Sequence, residues 1–470
     1  MTSNALFAPV AKHRITSKNP AKEGIGLDVE RCAALHNTLM LYGWVCGGKS
    51  IPTMARKSWW SRHGSQPLQK VLHPEVVRYL QKIFDVPEHN FFYHVRGLAA
   101  PIEMLRLGEV LEDEDHDPEH VEKYRFLVLY STSPALVTHP AGIVYDQITQ
   151  SAILMPTYNH VFDLRKNRDL PWQKLEAILS AFIDMVEAEK AFAVHEARAK
   201  DQSLPSDSLS PQLALQRANA NTLPWLLQPF TSNDLHNCIA AWKKLVTSLE
   251  KRAFLTPEEP LRPIASNSAL NAAKIPHGFA YELLRHAQAS EISFLAPGVR
   301  LPKTDEFVHQ PFTSILEKFP KETSNMKMPF LFLRCPGSVS GKEAKFRWPF
   351  STLESVPCGL YLDAFPNAQN PFEDACRLVL PILLGANRYA RTSDFRPIRR
   401  SYSDLYQVDI NPFVMRHGPK LVAILENWWE NVESGHWSCN EKGVSGGVGV
   451  WRKADTRDDW WRYQSKHLYV

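Results

Sequence analysis

Long apolar runs are missing from this chain of 470 residues, and no stretch approaches the ~20 apolar residues that a membrane helix requires. Closely paired cysteines are missing as well. The seven cysteines, at 32, 46, 238, 335, 358, 376 and 439, are odd in number and scattered, and none stand at CxxC spacing. That spacing argues against a zinc ribbon or a thioredoxin motif and suits reduced thiols in a reducing compartment. Charge of one sign is also scarce. Fifty-four Lys and Arg against 50 Asp and Glu leave a formal charge of +4, which tolerates an anionic ligand but is far from the footprint of a dedicated nucleic-acid binder. The first residues carry no apolar signal core. Residues 1–22 instead hold Lys12, Arg14, Lys18 and Lys22 with no acid before Glu23, so a disordered tail over 1–27 and a cytoplasmic location are expected.

Proline and aromatic residues are plentiful. Thirty-four Pro predict abrupt element ends, and 13 Trp with 23 Phe supply material for large cores. A chain of this length exceeds one ordinary core, so two domains are expected. Residues 28–42 and 74–85 read as helices, while 91–95, 125–131 and 151–155 read as strands. The run at 125–131 (RFLVLYS) is apolar without alternation, as in a strand buried on both faces. A long amphipathic helix covers 172–192. The polar, Ser- and Pro-bearing stretch 196–224 reads as a linker, which divides a first domain (28–195) from a second (225–470). In the second, 233–252, 372–385, 419–434 and 455–466 read as helices, and 329–334 and 359–363 as strands. The expected class is α/β or α+β, two mixed domains.

The helices near 172–192 and 419–434 share Lys, Leu, Ala, Ile, Leu, Val and Glu in register, and Phe162-Asp163-Leu164 matches Val408-Asp409-Ile410 at the same offset. Leu175, Ile178, Leu179, Phe182 and Val186 form one apolar stripe, echoed by Leu421, Ile424, Leu425, Trp428 and Val432. An internal duplication would place two related helices around a cleft.

Several short motifs suggest chemistry. Gly43-Trp-Val-Cys-Gly-Gly48-Lys49-Ser50 resembles a P-loop. The resemblance implies phosphates cradled by backbone N–H groups at Gly48, Lys49 on the β/γ oxygens and Ser50 on Mg²⁺. A P-loop follows a strand and opens a helix, whereas here a helix precedes and Pro52 follows closely. His116-Asp-Pro-Glu119-His120 resembles the HxxEH of the inverted zinc metallopeptidases, although Pro118 marks a helix that starts after His116. Arg-His-Gly, at 62–64 and again at 416–418, resembles the strand end of the histidine phosphatases. Asp184 and Glu187 stand one helical turn apart and are candidate acid–base groups or Mg²⁺ ligands. Over five residues this pair is similar to the DDxxE signature of the fungal arginine-containing cyclodipeptide synthases, with Ile183 in place of the first Asp. That resemblance implies chemistry on aminoacyl-tRNA. At 100° per residue from Leu175, however, Asp184 falls at about 180°, away from its own core.

Arg388, Arg391, Arg396, Arg399 and Arg400 form a basic cluster with Tyr389, Phe395 and Tyr402 interleaved. Such side chains clamp phosphates and stack on bases. The function expected is a transferase acting on an anionic substrate, a nucleotide, a phosphorylated metabolite or an aminoacyl-tRNA, so that the partner is an anionic small molecule or tRNA. Asp184 and Glu187 would act in chemistry and the arginines on substrate, with Mg²⁺ as a candidate cofactor. The alternative is a scaffold whose Trp59-Trp60, Trp428-Trp429 and Trp460-Trp461 pairs anchor a partner.

Overall fold

A computed structural model describes residues 6–16, 18–24, 26–93, 95–114, 124–132, 140–157, 164, 172–197, 222–255, 262–318, 328–342, 344, 346, 349–362, 374–393, 395–407 and 419–465. The described chain mixes helices with mainly antiparallel sheets and divides into two compact units, Met1–Gln228 and Pro229–Val470, leaving aside the segment 412–415. No described helix is long and apolar enough to cross a membrane.

In the first unit, α1 (Val29–Cys46) starts at Asp28, whose side chain accepts from the Arg31 amide, the usual service of an acidic N-cap. Short helices α2 (Trp59–His63), α3 (Gln66–Val71) and α4 (Pro74–Lys82) follow. Strand β1 (Val95–Leu98) precedes α5 (Pro101–Glu114), and β2 (Phe126–Thr132), β3 (Pro140–Asp146) and β4 (Ser151–Thr157) complete an antiparallel sheet in the order β1-β2-β3-β4. Every residue of β2 is buried, as its unbroken apolar run requires. Helix α6 (Leu175–Glu187) buries its whole expected stripe, and Phe182 stacks on Phe92 with ring centres 4.3 Å apart. Strands β5 (Ala191–Ala193) and β6 (Trp225–Leu227) pair with each other, so residues expected to open the second domain finish the first unit instead.

The second unit opens with α7 (Ser232–Arg252), capped reciprocally by Thr231 and Asp234. After α8 (Asn267–Ala272) and α9 (Phe279–His286) come the short strands β7 (Phe294–Ala296) and β8 (Val299–Arg300), then helices α10 (Thr304–Val308) and α11 (Thr313–Lys318). A meander of β9 (Phe330–Ser340), β10 (Ser355–Leu362) and β11 (Cys376–Val379) leads to α12 (Leu421–Glu433). Strands β12 (Cys439–Asn440) and β13 (Gly443–Val444) close a seven-stranded sheet ordered β11-β10-β9-β8-β7-β13-β12. Leu421, Ile424, Leu425, Trp428 and Val432 are all buried.

Two helix expectations give way. Cys376–Val379 is a strand, because Leu378 and Val379 find partners on β10 at Leu360 and Gly359 and Pro381 stops the run; tertiary pairing outweighs an ambiguous apolar pattern. Residues 455–466 give only a short 3₁₀ turn at Trp460–Tyr463, after another at Val448–Asp455. Both units run from a long helix through an antiparallel meander to a thirteen-residue helix. Shared order of this kind does not establish a duplication, and the matching triplets at 162–164 and 408–410 lie outside the described residues apart from Leu164.

Candidate functional site

Helix α6 turns Glu176, Ser180, Asp184 and Glu187 to one side, at spacings of four, four and three residues. None of the four is left open. The Lys22 amide donates to Glu176 Oε1 at 3.1 Å, and the Cys32 thiol donates to its Oε2 at 3.6 Å. The Ile15 amide donates to Ser180 Oγ at 2.9 Å. Arg14 pairs with Asp184 and, at 2.8 Å, with Glu187. Partial burial lifts the Asp184 carboxyl above its ordinary range, and Arg14 opposes that lift.

The segment expected to be a disordered tail is therefore a strap over this helix. Leu6, Phe7 and Val10 are buried, and the Arg31 guanidinium donates to the carbonyls of His13, Arg14, Asn19 and Pro20. One planar fork of donors reaches four carbonyls of the strap, of which those of Arg14 and Asn19 also accept from Asn19 Nδ2 and the Thr16 amide. Arg14 stands where a cation held by Asp184 and Glu187 would sit. Among the described residues, no group of three or more His, Cys, Asp or Glu side chains is arranged to hold a metal ion.

The P-loop-like sequence occupies a helix end of the opposite polarity. Residues 43–46 form the last turn of α1, and the Gly47 amide caps it on Gly43 O. Gly48 has φ +86° with the His195 ring packed where a Cβ would lie, so only glycine fits. Lys49 Nζ pairs with Glu196 at 2.8 Å and lies over the Trp44 ring. Ser50 O accepts from the Trp44 indole at 2.9 Å. A helix C-terminus presents carbonyls and partial negative charge, whereas phosphate binding uses the N-terminal end. Nearby, burial drives the His89 imidazole down to about 4.

The first Arg-His-Gly lies in α2 and its cap, with His63 Nε2 3.6 Å from Asp85, and is no strand end. The segments 116–120 and 416–418 lie outside the described residues. Glu433, the counterpart of Glu187, is likewise engaged: Ser248 donates to it and Arg252 pairs with it at 3.3 Å, beside a surface concavity of about 370 Å³ that Lys251 and Phe254 also line.

The arginine cluster, in the second unit, is where the structure adds most. Residues 384–401 form an irregular hairpin, bridged at Leu384–Ser401 and Arg391–Pro397 and tied by Ile398 N to Ala390 O. Its shape is fixed by one buried carboxylate. Asp455 Oδ2 accepts from the amides of Gly385 (3.0 Å) and Asn387 (2.8 Å), and Oδ1 from those of Tyr389 (3.0 Å) and Ala390 (2.9 Å). Converging backbone amides of this kind form a ready anion nest, and here the anion is the chain's own. With its amides turned inward, the loop sends Asn387, Arg388 and Tyr389 outward, and all three are exposed.

At the tip, Thr392 and Arg396 pair through Thr392 N to Arg396 O, and the Phe395 amide donates to Thr392 O. Phe395 is held at φ +64° with its ring in solvent. Arg399 and Arg400 are exposed on the returning limb, while Arg391 stacks over Trp460 at 5.8 Å. Arg462 lies over the exposed Trp461 ring at 4.5 Å. Among the described residues, neither Arg388 nor Arg400 is ion-paired. The clustered arginines are visible in sequence, and Trp460-Trp461 reads there as a partner anchor. Neither the anchoring role of the buried Asp455 nor the joining of Trp460, Trp461 and Arg462 to the arginine hairpin is visible, because that stretch reads as an ordinary helix.

The tryptophan pairs expected as partner anchors mostly face inward. Trp59 and Trp428 are buried, Trp60, Trp429 and Trp460 are half-buried, and only Trp461 is exposed. No protein-family model, no curated protein and no solved structure matches the chain.

Proposed function

We propose that the chain binds an anionic partner of the kind tRNA represents, through the arginine-bearing hairpin of its second unit. One observation carries this reading: Asp455 takes the loop amides, so the hairpin presents Arg388, Arg391, Arg396, Arg399 and Arg400 from a fixed frame. Guanidinium groups so placed make bidentate contacts with phosphate oxygens. The overall charge of +4 is small because acids elsewhere offset it, and the binding charge is local.

The test is affinity for total tRNA as a function of salt. Each phosphate contact contributes about 0.7 to 0.9 to the slope of log K against log salt, so Arg388→Ala with Arg400→Ala should flatten the slope by about 1.5. Absence of binding, or a slope unaltered in the double variant, would refute the reading. A second reading is the transferase with Asp184 and Glu187 as general base or Mg²⁺ ligands; the two carboxylates on one rigid helix support it. It requires Arg14 to leave them, so Mg²⁺ should bind Arg14→Ala more tightly than the parent protein.

A further inference from the structure

The exposed aromatic rings are not scattered. Among the described residues four aromatic side chains are strongly exposed, Phe254, Tyr389, Phe395 and Trp461. Three of the four belong to the arginine hairpin or to the 3₁₀ turn joined to it by Arg391–Trp460 and by Gln464 Nε2 to Arg391 O. Tyr389 is 39%, Phe395 58% and Trp461 55% exposed. The geometry points to a single-stranded nucleic acid as the partner, its unpaired bases stacked on Tyr389, Phe395 and Trp461 while the arginines take the phosphates.

This inference rests on the anionic-partner reading and adds the class of ligand. Packing does not explain how Phe395 is displayed. A bulky residue at φ +64° is strained, and no burial compensates for it. The strain is sustained instead by the tip bonds Thr392 N to Arg396 O (2.9 Å), Phe395 N to Thr392 O (3.0 Å) and Arg396 N to Thr392 Oγ1 (3.0 Å). Trp461 is likewise fixed, its indole donating to Asp458 O at 2.9 Å while Arg462 covers its ring. Rigid rings beside guanidinium groups are what base stacking uses, and every base offers a π-face. A duplex keeps its bases stacked on each other, so it would meet the arginines and leave these rings in water. Insertion of Trp461 into a bilayer would carry the neighbouring Asp458 and Asp459 toward the lipid, where carboxylates are costly to desolvate, whereas stacking at the surface leaves them in water.

The measurement is fluorescence anisotropy of the full chain with a labelled mixed-sequence RNA strand, the same strand annealed to its complement, and, by sedimentation, vesicles of phosphatidylserine and phosphatidylcholine. The single strand should bind at least about tenfold tighter than the duplex. Phe395→Ala and Trp461→Ala should each weaken it about five- to hundredfold, the range of one lost stack, and Phe395→Trp should retain affinity where Phe395→Leu does not. All these side chains are exposed, and an unchanged far-UV circular dichroism spectrum and thermal midpoint check that the fold persists. Equal affinity for strand and duplex, or aromatic variants that bind as the parent does while Arg388→Ala with Arg400→Ala weakens binding, would overturn the stacking inference and leave the anionic-partner reading standing. Loss of salt dependence in the parent protein would remove both. Vesicle binding that vanishes with Phe395→Ala and Trp461→Ala, without strand binding, would assign the rings to a membrane surface and overturn the inference.

Discussion

Replacing Asp455 with Asn changes one atom of the hairpin's anchor and should undo it. The carboxylate accepts four backbone N–H bonds, two on each oxygen. An Asn side chain keeps one accepting oxygen and turns an NH₂ group toward the other two amides. Two donors are then left facing donors in a buried place, and the surviving pair loses its charge assistance. At about 1–3 kcal/mol for each orphaned donor and a smaller loss for the weakened bonds, the local penalty is about 4 kcal/mol. That is a large part of the 5–15 kcal/mol that ordinarily holds a domain together. The hairpin should therefore open while the sheet of β9, β10 and β11 stays folded. Hydrogen exchange resolves this outcome: peptides covering 384–391 should exchange about a thousandfold faster in Asp455→Asn, since ~1.4 kcal/mol is a factor of ten. Peptides covering 330–340 should be unchanged. Equal protection of 384–391 in both proteins would refute the claim that Asp455 holds the loop, and a uniform rise across the unit would refute its locality.

Three further outcomes follow from the first unit. His36 is fully buried, between Tyr130 Oη at 2.7 Å and Phe84 O at 2.9 Å, and burial holds its imidazole at about 4 against 6.5 when free. The unfolded chain then takes up the proton first, so stability is full above about pH 6.5 and falls as pH drops toward 4. The fall is about 2 kcal/mol between pH 7 and 5 for His36 and a similar amount for His89, held as low in the same unit. Urea unfolding at the two pH values checks this, and a flat profile counts against it. Arg14→Ala should loosen the strap by about 1 kcal/mol, a figure kept low because both carboxylates are half-exposed, and should speed limited proteolysis within residues 14–24; unchanged cleavage would mean that the backbone bonds of Ile15 and Lys22 hold it alone. For Gly48, Lys49 and Ser50, the polarity of the helix end leads us to expect no thermal shift with ATP·Mg²⁺, and a shift lost in Lys49→Ala would reinstate phosphate binding there.

What sequence reasoning reached, and what it missed, follow from the range of the interactions involved. Strand β2 was legible because residues 126–130 are apolar without interruption, and α6 and α12 because their stripes repeat at helical spacing. Those signals sit within one element. The strap was not legible, because its polar groups bond to Ser180, Asp184 and Glu187, more than 160 residues away. The hairpin was not legible either: its arginines announced a charge, but the frame comes from Asp455, 65 to 70 residues downstream. Residues 372–385 misled because Leu378, Val379 and Leu380 suit a buried helix as well as a strand, and only the partner strand decides.

The strap also bears on how the first unit is made. Arg14 and Ile15 emerge early in synthesis, yet the groups they bond lie on α6, and β5 waits further for Trp225–Leu227 to pair with it. Contacts of such sequence separation raise contact order and delay folding, because loop closure must come before its reward. Until α6 has been made, the amides of Ile15 and Lys22 lack the Ser180 hydroxyl and the Glu176 carboxylate they donate to, and an incomplete chain leaves the apolar face that α6 covers exposed. The first unit should thus mature late and nearly all at once, and C-terminal truncations before residue 187 should yield aggregation-prone fragments rather than smaller stable domains.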